Sequence, residues 1–185
     1  MADYIASALT ESEKDTWSTP LDIFSALDNE FNFCLDTCAS DNNFKVENYI
    51  TKEQDALECS WLDRIPQGIV NPMVWINPPY SRGSIKAFTK AAIKQRNNGI
   101  GSVMLVPLTP EALWFYANQT QELRIVTGGR IAFINPVTGM PQKDNPKGSM
   151  FVIFKPDCSP IATKYIDRDY LIEVGQQVLK SKEAA

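Results

Sequence analysis

The chain has 185 residues, 44% hydrophobic and 22% charged, which is enough for one globular core and short for two independent domains. It contains no histidine, which excludes imidazole triads, imidazole general bases and mixed His/Cys zinc sites. A net charge of -4 and a pI near 4.9 exclude a protein that coats nucleic acid through its overall charge, so any contact with DNA must come from a local patch.

Residues 1–16 are polar and irregular and read as a flexible N-terminal segment. Trp17-Ser-Thr-Pro20 reads as a helix start, with Thr19 as N-cap and Pro20 at the first helical position of a helix from Leu21 to about Phe31. Phe31 to Asp36 alternates and predicts a strand that ends on Asp36 and opens into the polar loop 37–43. Val74 to Asn77 and Gly101 to Val106 are apolar runs halted by proline, as suits buried parallel strands, and a helix from Ser84 to about Asn97 separates them. Pro110 to about Gln119 predicts a helix, and Leu123 to Val126 and Arg130 to Ile134 predict extended segments. Ser149 to Phe154 predicts a final strand, followed by a helix from about Tyr165 to Leu179.

Alternating strands and helices indicate an α/β fold with a mostly parallel sheet flanked by helices. The expected organisation is a single domain over 17–180 with a short tail, 181–185. The turn-rich stretch from Asn135 to Gly148 is either a surface insertion or an element that reads the substrate. Four cysteines, Cys34, Cys38, Cys59 and Cys158, form no Cys-x-x-Cys pair, and no apolar leader or membrane-length apolar run is visible. Reduced thiols, a cytoplasmic location, no membrane and no metal are therefore expected. Trp61, Trp75 and Trp114 read as core.

The chemistry is concentrated in Asn77-Pro-Pro-Tyr80, directly after a strand. An amino group conjugated to an aromatic ring is a poor nucleophile. The Asn77 side-chain oxygen and the Pro78 carbonyl can each accept one of its N–H groups and draw the nitrogen toward a pyramidal geometry. Pro78 and Pro79 keep that carbonyl aimed, and Tyr80 offers a face on which an extruded base can stack. The arrangement needs neither a strong base nor a metal. Asn71-Pro72 shares the first two residues but lacks the second proline and the tyrosine, and it reads as a turn.

These residues resemble the amino-methyltransferases, and more specifically the phage-type DNA N6-adenine methyltransferase (Dam) family, over roughly Trp17 to Phe154. The segments that carry the resemblance are Trp17-Ser-Thr-Pro20, Leu35-Asp-Thr-Cys-Ala-Ser40, Asp55-Ala-Leu57, Asn77-Pro-Pro-Tyr-Ser81 and Gly129-Arg-Ile131, in the family's order. The resemblance implies a single-domain Rossmann-like fold dependent on S-adenosylmethionine, with DNA as partner, encoded by a phage or prophage. It also implies that Thr19 and Pro20 lie by the donor's carboxylate end and that Asp36, Cys38 and Ala39 form the donor's floor. Asp55 then bonds the donor's adenine, and Asn77 to Tyr80 hold the target base. The loop after Asp36 departs from the wider methylase pattern in having no glycine, so the acid for the donor's ribose is open, with Asp41 and Glu47 as candidates.

Plainer readings stand beside these. Asp36 and Asp55 can be strand-end acids that cap nearby backbone. Lys86, Lys90 and Lys94 recur every fourth residue, which suits DNA phosphates or a solvated helix face equally. Ser81, Arg82, Arg130, Lys143 and Lys147 are candidate DNA contacts or ordinary surface residues. The shared tetrapeptide also admits methylation of an RNA base or a protein glutamine. The glycine-free loop admits a non-catalytic accessory protein that keeps the fold. Oligomeric state is open, with a monomer as the simpler expectation.

Overall fold

The computed structural model describes residues 17–112, 114–142, 145–156 and 162–184. In chain order the main elements are α1 (Leu21–Phe31), β1 (Phe33–Ala39), β2 (Tyr49–Thr51), β3 (Met73–Ile76), α2 (Ser84–Asn97), β4 (Gly101–Pro107), β5 (Glu122–Thr127), β6 (Ser149–Phe154), β7 (Ala162–Asp167) and α3 (Arg168–Glu183). The seven strands form one sheet in the order β2-β1-β3-β4-β6-β5-β7. All pairings are parallel except those of β6, which runs against both β4 and β5.

The central strands are largely apolar because both faces of the sheet are covered, with Ser102 and Ser149 as their buried polar residues. Val74, Ile76, Met104, Val106, Met150, Val152 and Phe154 face one side, where Phe88 and Ala92 of α2 and the buried Trp61 pack on them. Trp75, Val103, Leu105, Phe151 and Ile153, the alternate positions, face the other side with Ile23, Phe24 and Leu27 of α1 and Leu171 of α3. Trp75 is fully buried, edge-on to Phe24 at 5.4 Å between ring centres and tilted on Phe33 at 5.5 Å.

Chain order reverses at β1. From β1 the chain moves outward to β2, then returns past β1 to form β3 on its other side. In sheets of this kind the crevice at the carboxyl ends of the strands flanking such a reversal is where ligands bind. Parallel register sets Asp36 opposite Trp75, and the Thr37 hydroxyl ties the two strands by donating to the Trp75 carbonyl at 3.2 Å. The Asp36 loop and Asn77 therefore emerge side by side.

Several expected elements differ. α1 has the expected bounds, but its N-cap is Pro20 and no side chain caps it, so Thr19 is not the capping residue. The first strand runs to Ala39, three residues beyond Asp36. Pro110 to Gln119 is not a helix: its i to i+3 hydrogen bonds make tight turns and one short 3-10 turn, Ala117–Gln119. Arg130 to Ile134 forms no strand, because only Ile134 pairs, bridging Ser18 on one side and Pro141 on the other. The C-terminal helix starts at Arg168, because residues 162–167 pair with β5 and the Asp167 carboxylate caps the N–H groups of Asp169 and Tyr170. It continues to Glu183, into the stretch expected as a tail.

Candidate active site

Asp36 is almost completely buried, and both carboxylate oxygens are used. One accepts the Cys38 N–H at 3.1 Å and the other the Lys45 N–H at 3.0 Å. The carboxylate thus folds its own loop back on the strand end, so the loop manages without glycine: no residue from Phe33 to Gln54 takes a positive φ. The feature that suggested a defective ligand loop is a loop closed by an acid instead.

Burial pushes the Asp36 carboxyl up to about 6, against the lowering effect of the two N–H donors and the nearby Lys45 charge. Because its folded-state value lies above the unfolded one, the stability linked to Asp36 is greatest below about pH 4 and is lost as pH rises through about 6. The difference amounts to roughly 3 kcal/mol. Thermal melts of the wild type and Asp36→Asn from pH 4 to 7 are expected to diverge over that window, and parallel curves would count against an ionised, desolvated Asp36.

Asn77 leaves β3 half-buried. Its side-chain N–H donates to the Trp17 carbonyl at 3.4 Å, and the Tyr80 hydroxyl stands 3.5 Å from its oxygen. With the amide nitrogen engaged, the oxygen is the acceptor left on the Tyr80 side. The Asn77 backbone N–H reaches the Cys38 sulfur, which joins the two strand-end loops. Burial and the Asp36 charge push the Cys38 thiol well up, so it remains a thiol. Burial likewise raises the Tyr80 hydroxyl, which also lies 3.5 Å from the Leu105 carbonyl. Tyr80 as a residue keeps 39% of its surface exposed while its hydroxyl end is buried, and Phe133 meets its ring edge-on at 6.4 Å between ring centres.

Two cavities flank this junction. One, of about 450 Å³, is lined by Tyr80, Ile85, Pro107, Trp114, Lys147 and Ser149, among others. It carries two aromatic rings, the Lys147 cation and the Glu111 acid, and Trp114, which packs against the core as expected, also lines it. The other, of about 260 Å³, is polar and lies over β2, with Asp41, Glu47, Tyr49, Gln54 and Arg64 in its wall. The Tyr49 hydroxyl donates to Asp41 there at 2.9 Å. Beside the junction, the Thr19 hydroxyl is buried and has no hydrogen-bond partner among the described residues.

The sequence pattern of the family described as DNA N-6-adenine-methyltransferase (Dam) matches residues 6–178. The chain belongs to the Dam family. A DNA N-6-adenine-methyltransferase of Haemophilus phage HP1 (strain HP1c1) is 35% identical over 174 residues, covering 89% of this chain and 94% of the phage protein. Another, from Escherichia phage T1, is 30% identical over 169 residues, covering 82% of this chain and 67% of that protein.

Of the residues that the Dam resemblance singled out, Thr19, Pro20, Asp36, Cys38, Ala39 and Asn77 to Tyr80 all lie around the β1/β3 junction. Asp41 and Glu47 share the polar cavity. Asp55 is in the wall of neither cavity, though its neighbour Gln54 lines the polar one; it is exposed with φ 49°, and its carboxylate caps the Leu57 N–H at 3.0 Å within its own turn. Arg82, Lys86, Lys90 and Lys94 are exposed, and Ser81 is bonded to Ser84 at the head of α2. Arg130 donates to the Asn145 carbonyl at 2.5 Å and so braces the cavity loop; Lys147 lines the larger cavity. Lys143 lies outside the described residues. Among those residues no helix is long and apolar enough to cross a membrane. Sequence reading missed Lys45, which carries no motif signal, and it singled out Trp17 only within Trp17-Ser-Thr-Pro20 and not for its carbonyl; both reach the junction only when distant segments fold onto it.

Proposed function

We propose that this protein methylates the exocyclic amino nitrogen of adenine in DNA, with S-adenosylmethionine as donor on a single-domain Rossmann-like methyltransferase fold. The observation that carries the reading is the Asn77 amide, anchored through its nitrogen on Trp17 with its oxygen 3.5 Å from the hydroxyl of Tyr80, the member of the tetrapeptide that lines the larger cavity together with Trp114. Belonging to the Dam family supports the same reading.

The residues at the β1/β3 junction fit the donor chemically. A buried hydroxyl without a partner at Thr19, the Asp36 loop with Cys38 and Ala39, and carboxylates at Asp41 and Glu47 suit a ligand with an amino-acid tail and ribose hydroxyls. Once bound, the donor supplies a methyl group on a positively charged sulfur. The Asn77 oxygen and the Pro78 carbonyl then hold the two amino N–H groups of the base, and the two prolines keep that carbonyl fixed. Tyr80 and Trp114 sandwich the extruded ring. Arg82, Lys86 and Lys147 contact the DNA backbone, and Arg130 supports the reading loop 135–148.

The test is to offer labelled donor separately to DNA, RNA and protein substrates, and to sequence the genomic DNA of an expression host. Label confined to DNA, on adenine, is expected; label in RNA or on glutamine would replace the reading.

Thr19→Val tests the donor site independently. Removing an unsatisfied buried hydroxyl at constant shape is expected to stabilise the ligand-free protein by about 1 kcal/mol. The same change is expected to weaken binding of the demethylated donor, measured by calorimetry. A lower melting temperature would show that the hydroxyl has a partner.

A further inference from the structure

Lys45 has no place in the resemblance to the Dam family, yet it stands at the centre of the strand-end junction. Its backbone N–H closes the Asp36 loop at 3.0 Å. Its ammonium turns back across the crevice to the Ser18 hydroxyl at 2.6 Å and the Asn43 side-chain oxygen at 3.4 Å. Both partners are neutral. Among the described residues the ammonium forms no ion pair, while the nearest acid, Asp36, spends its oxygens on backbone N–H groups.

A surface lysine in this setting extends into water and carries no information. Lys45 is partly buried, and burial pulls its ammonium below the ordinary lysine value even though the Asp36 charge opposes this. A desolvated cation bonded only to neutral oxygens gains most from an anion. The residue after Ser18 is Thr19, whose buried hydroxyl has no partner among the described residues. An ammonium that meets only neutral oxygens and a buried hydroxyl with no partner among the described residues thus belong to neighbouring contacts, since Ser18, which holds the ammonium, directly precedes Thr19.

We propose that Lys45 is the anion anchor of the methyl-donor site, receiving with the Thr19 hydroxyl the α-carboxylate of the donor's amino-acid tail. This rests on the donor reading above and adds the residue that selects ligands carrying that carboxylate. The backbone role of Lys45 in closing the Asp36 loop is independent of its side chain, so the two functions separate by substitution.

The experiment is calorimetric titration of the full chain with two ligands, S-adenosylhomocysteine, which carries the carboxylate, and 5′-methylthioadenosine, which lacks it. Lys45→Met is expected to weaken S-adenosylhomocysteine about tenfold or more, on the scale of a lost charge-assisted contact. It should leave 5′-methylthioadenosine within about twofold, and Lys45→Arg should restore most of the difference. Equal losses for both ligands, or an unchanged affinity for S-adenosylhomocysteine, would overturn the proposal while leaving the donor reading intact. Failure of the wild type to bind either ligand would overturn the donor reading and the anchor with it.

Discussion

Asn77→Ala is expected to lower methyl transfer about a thousandfold while changing affinity for the demethylated donor by less than about threefold. The size follows from the geometry. The Asn77 oxygen is the side-chain acceptor that the anchored amide leaves on the Tyr80 side, and the substitution removes both the acceptor and the tie to Trp17. The interaction acts on the accepting amine, whose N–H groups become better donors as positive charge develops in the transition state, so the loss falls on the chemical step. The Asp36 loop keeps its shape, because its closure uses the Cys38 and Lys45 N–H groups and the Asn77 backbone N–H survives the change. Single-turnover transfer to duplex DNA, read beside calorimetry, checks both halves. Turnover within tenfold of wild type would remove Asn77 from the chemistry, and a parallel collapse of donor binding would make its role structural.

Gly175→Ala is expected to destabilise the fold at every pH, and its sign opposes helix propensity. In an isolated helix the change would stabilise by about 1 kcal/mol. Here Gly175 lies buried in α3 where α1 crosses it, and an added Cβ would stand 1.9 Å from the Asp22 carbonyl oxygen. The obstacle is backbone, so relief requires the helices to separate, which strips Leu171 from the shared core. A net loss of about 2–3 kcal/mol is expected, a fall in melting temperature of about 5–10 °C. A melting temperature equal to or above wild type would mean that the helices do not meet this closely.

The local signals were legible where one element satisfies itself. α1 and α2 have the bounds their periodicity predicts, and β4 and β6 stand out as apolar runs because each buries both faces. β2 and β7 were not legible. β2 has three residues, and β7 exposes most of its side chains, so neither shows a core face; both exist through the backbone edge that a neighbour offers. Arg130 to Ile134 failed in the opposite way: it has buried apolar residues, Ile131 and Phe133, but no continuous partner to form a ladder with. The same division runs through the site. Asn77 to Tyr80 announces itself because proline and asparagine act within four residues, whereas Asp36 read either as part of a donor floor or as a backbone cap, and only the folded loop shows both its oxygens on the Cys38 and Lys45 N–H groups.

The sequence by itself determined the α/β class, the strand-end position of Asn77-Pro-Pro-Tyr80 and the membership of the Dam family, since each depends on residue identity over short spans. Only the tertiary structure decided that Trp17 holds the Asn77 amide nitrogen, that the Lys45 ammonium reaches across to the Ser18 hydroxyl and that residue 175 must be glycine. Those three facts depend on which distant backbone atoms end up within a few ångströms of one another. That proximity arises when the sheet reverses order at β1 and α1 settles against α3, and no local pattern of side chains records it.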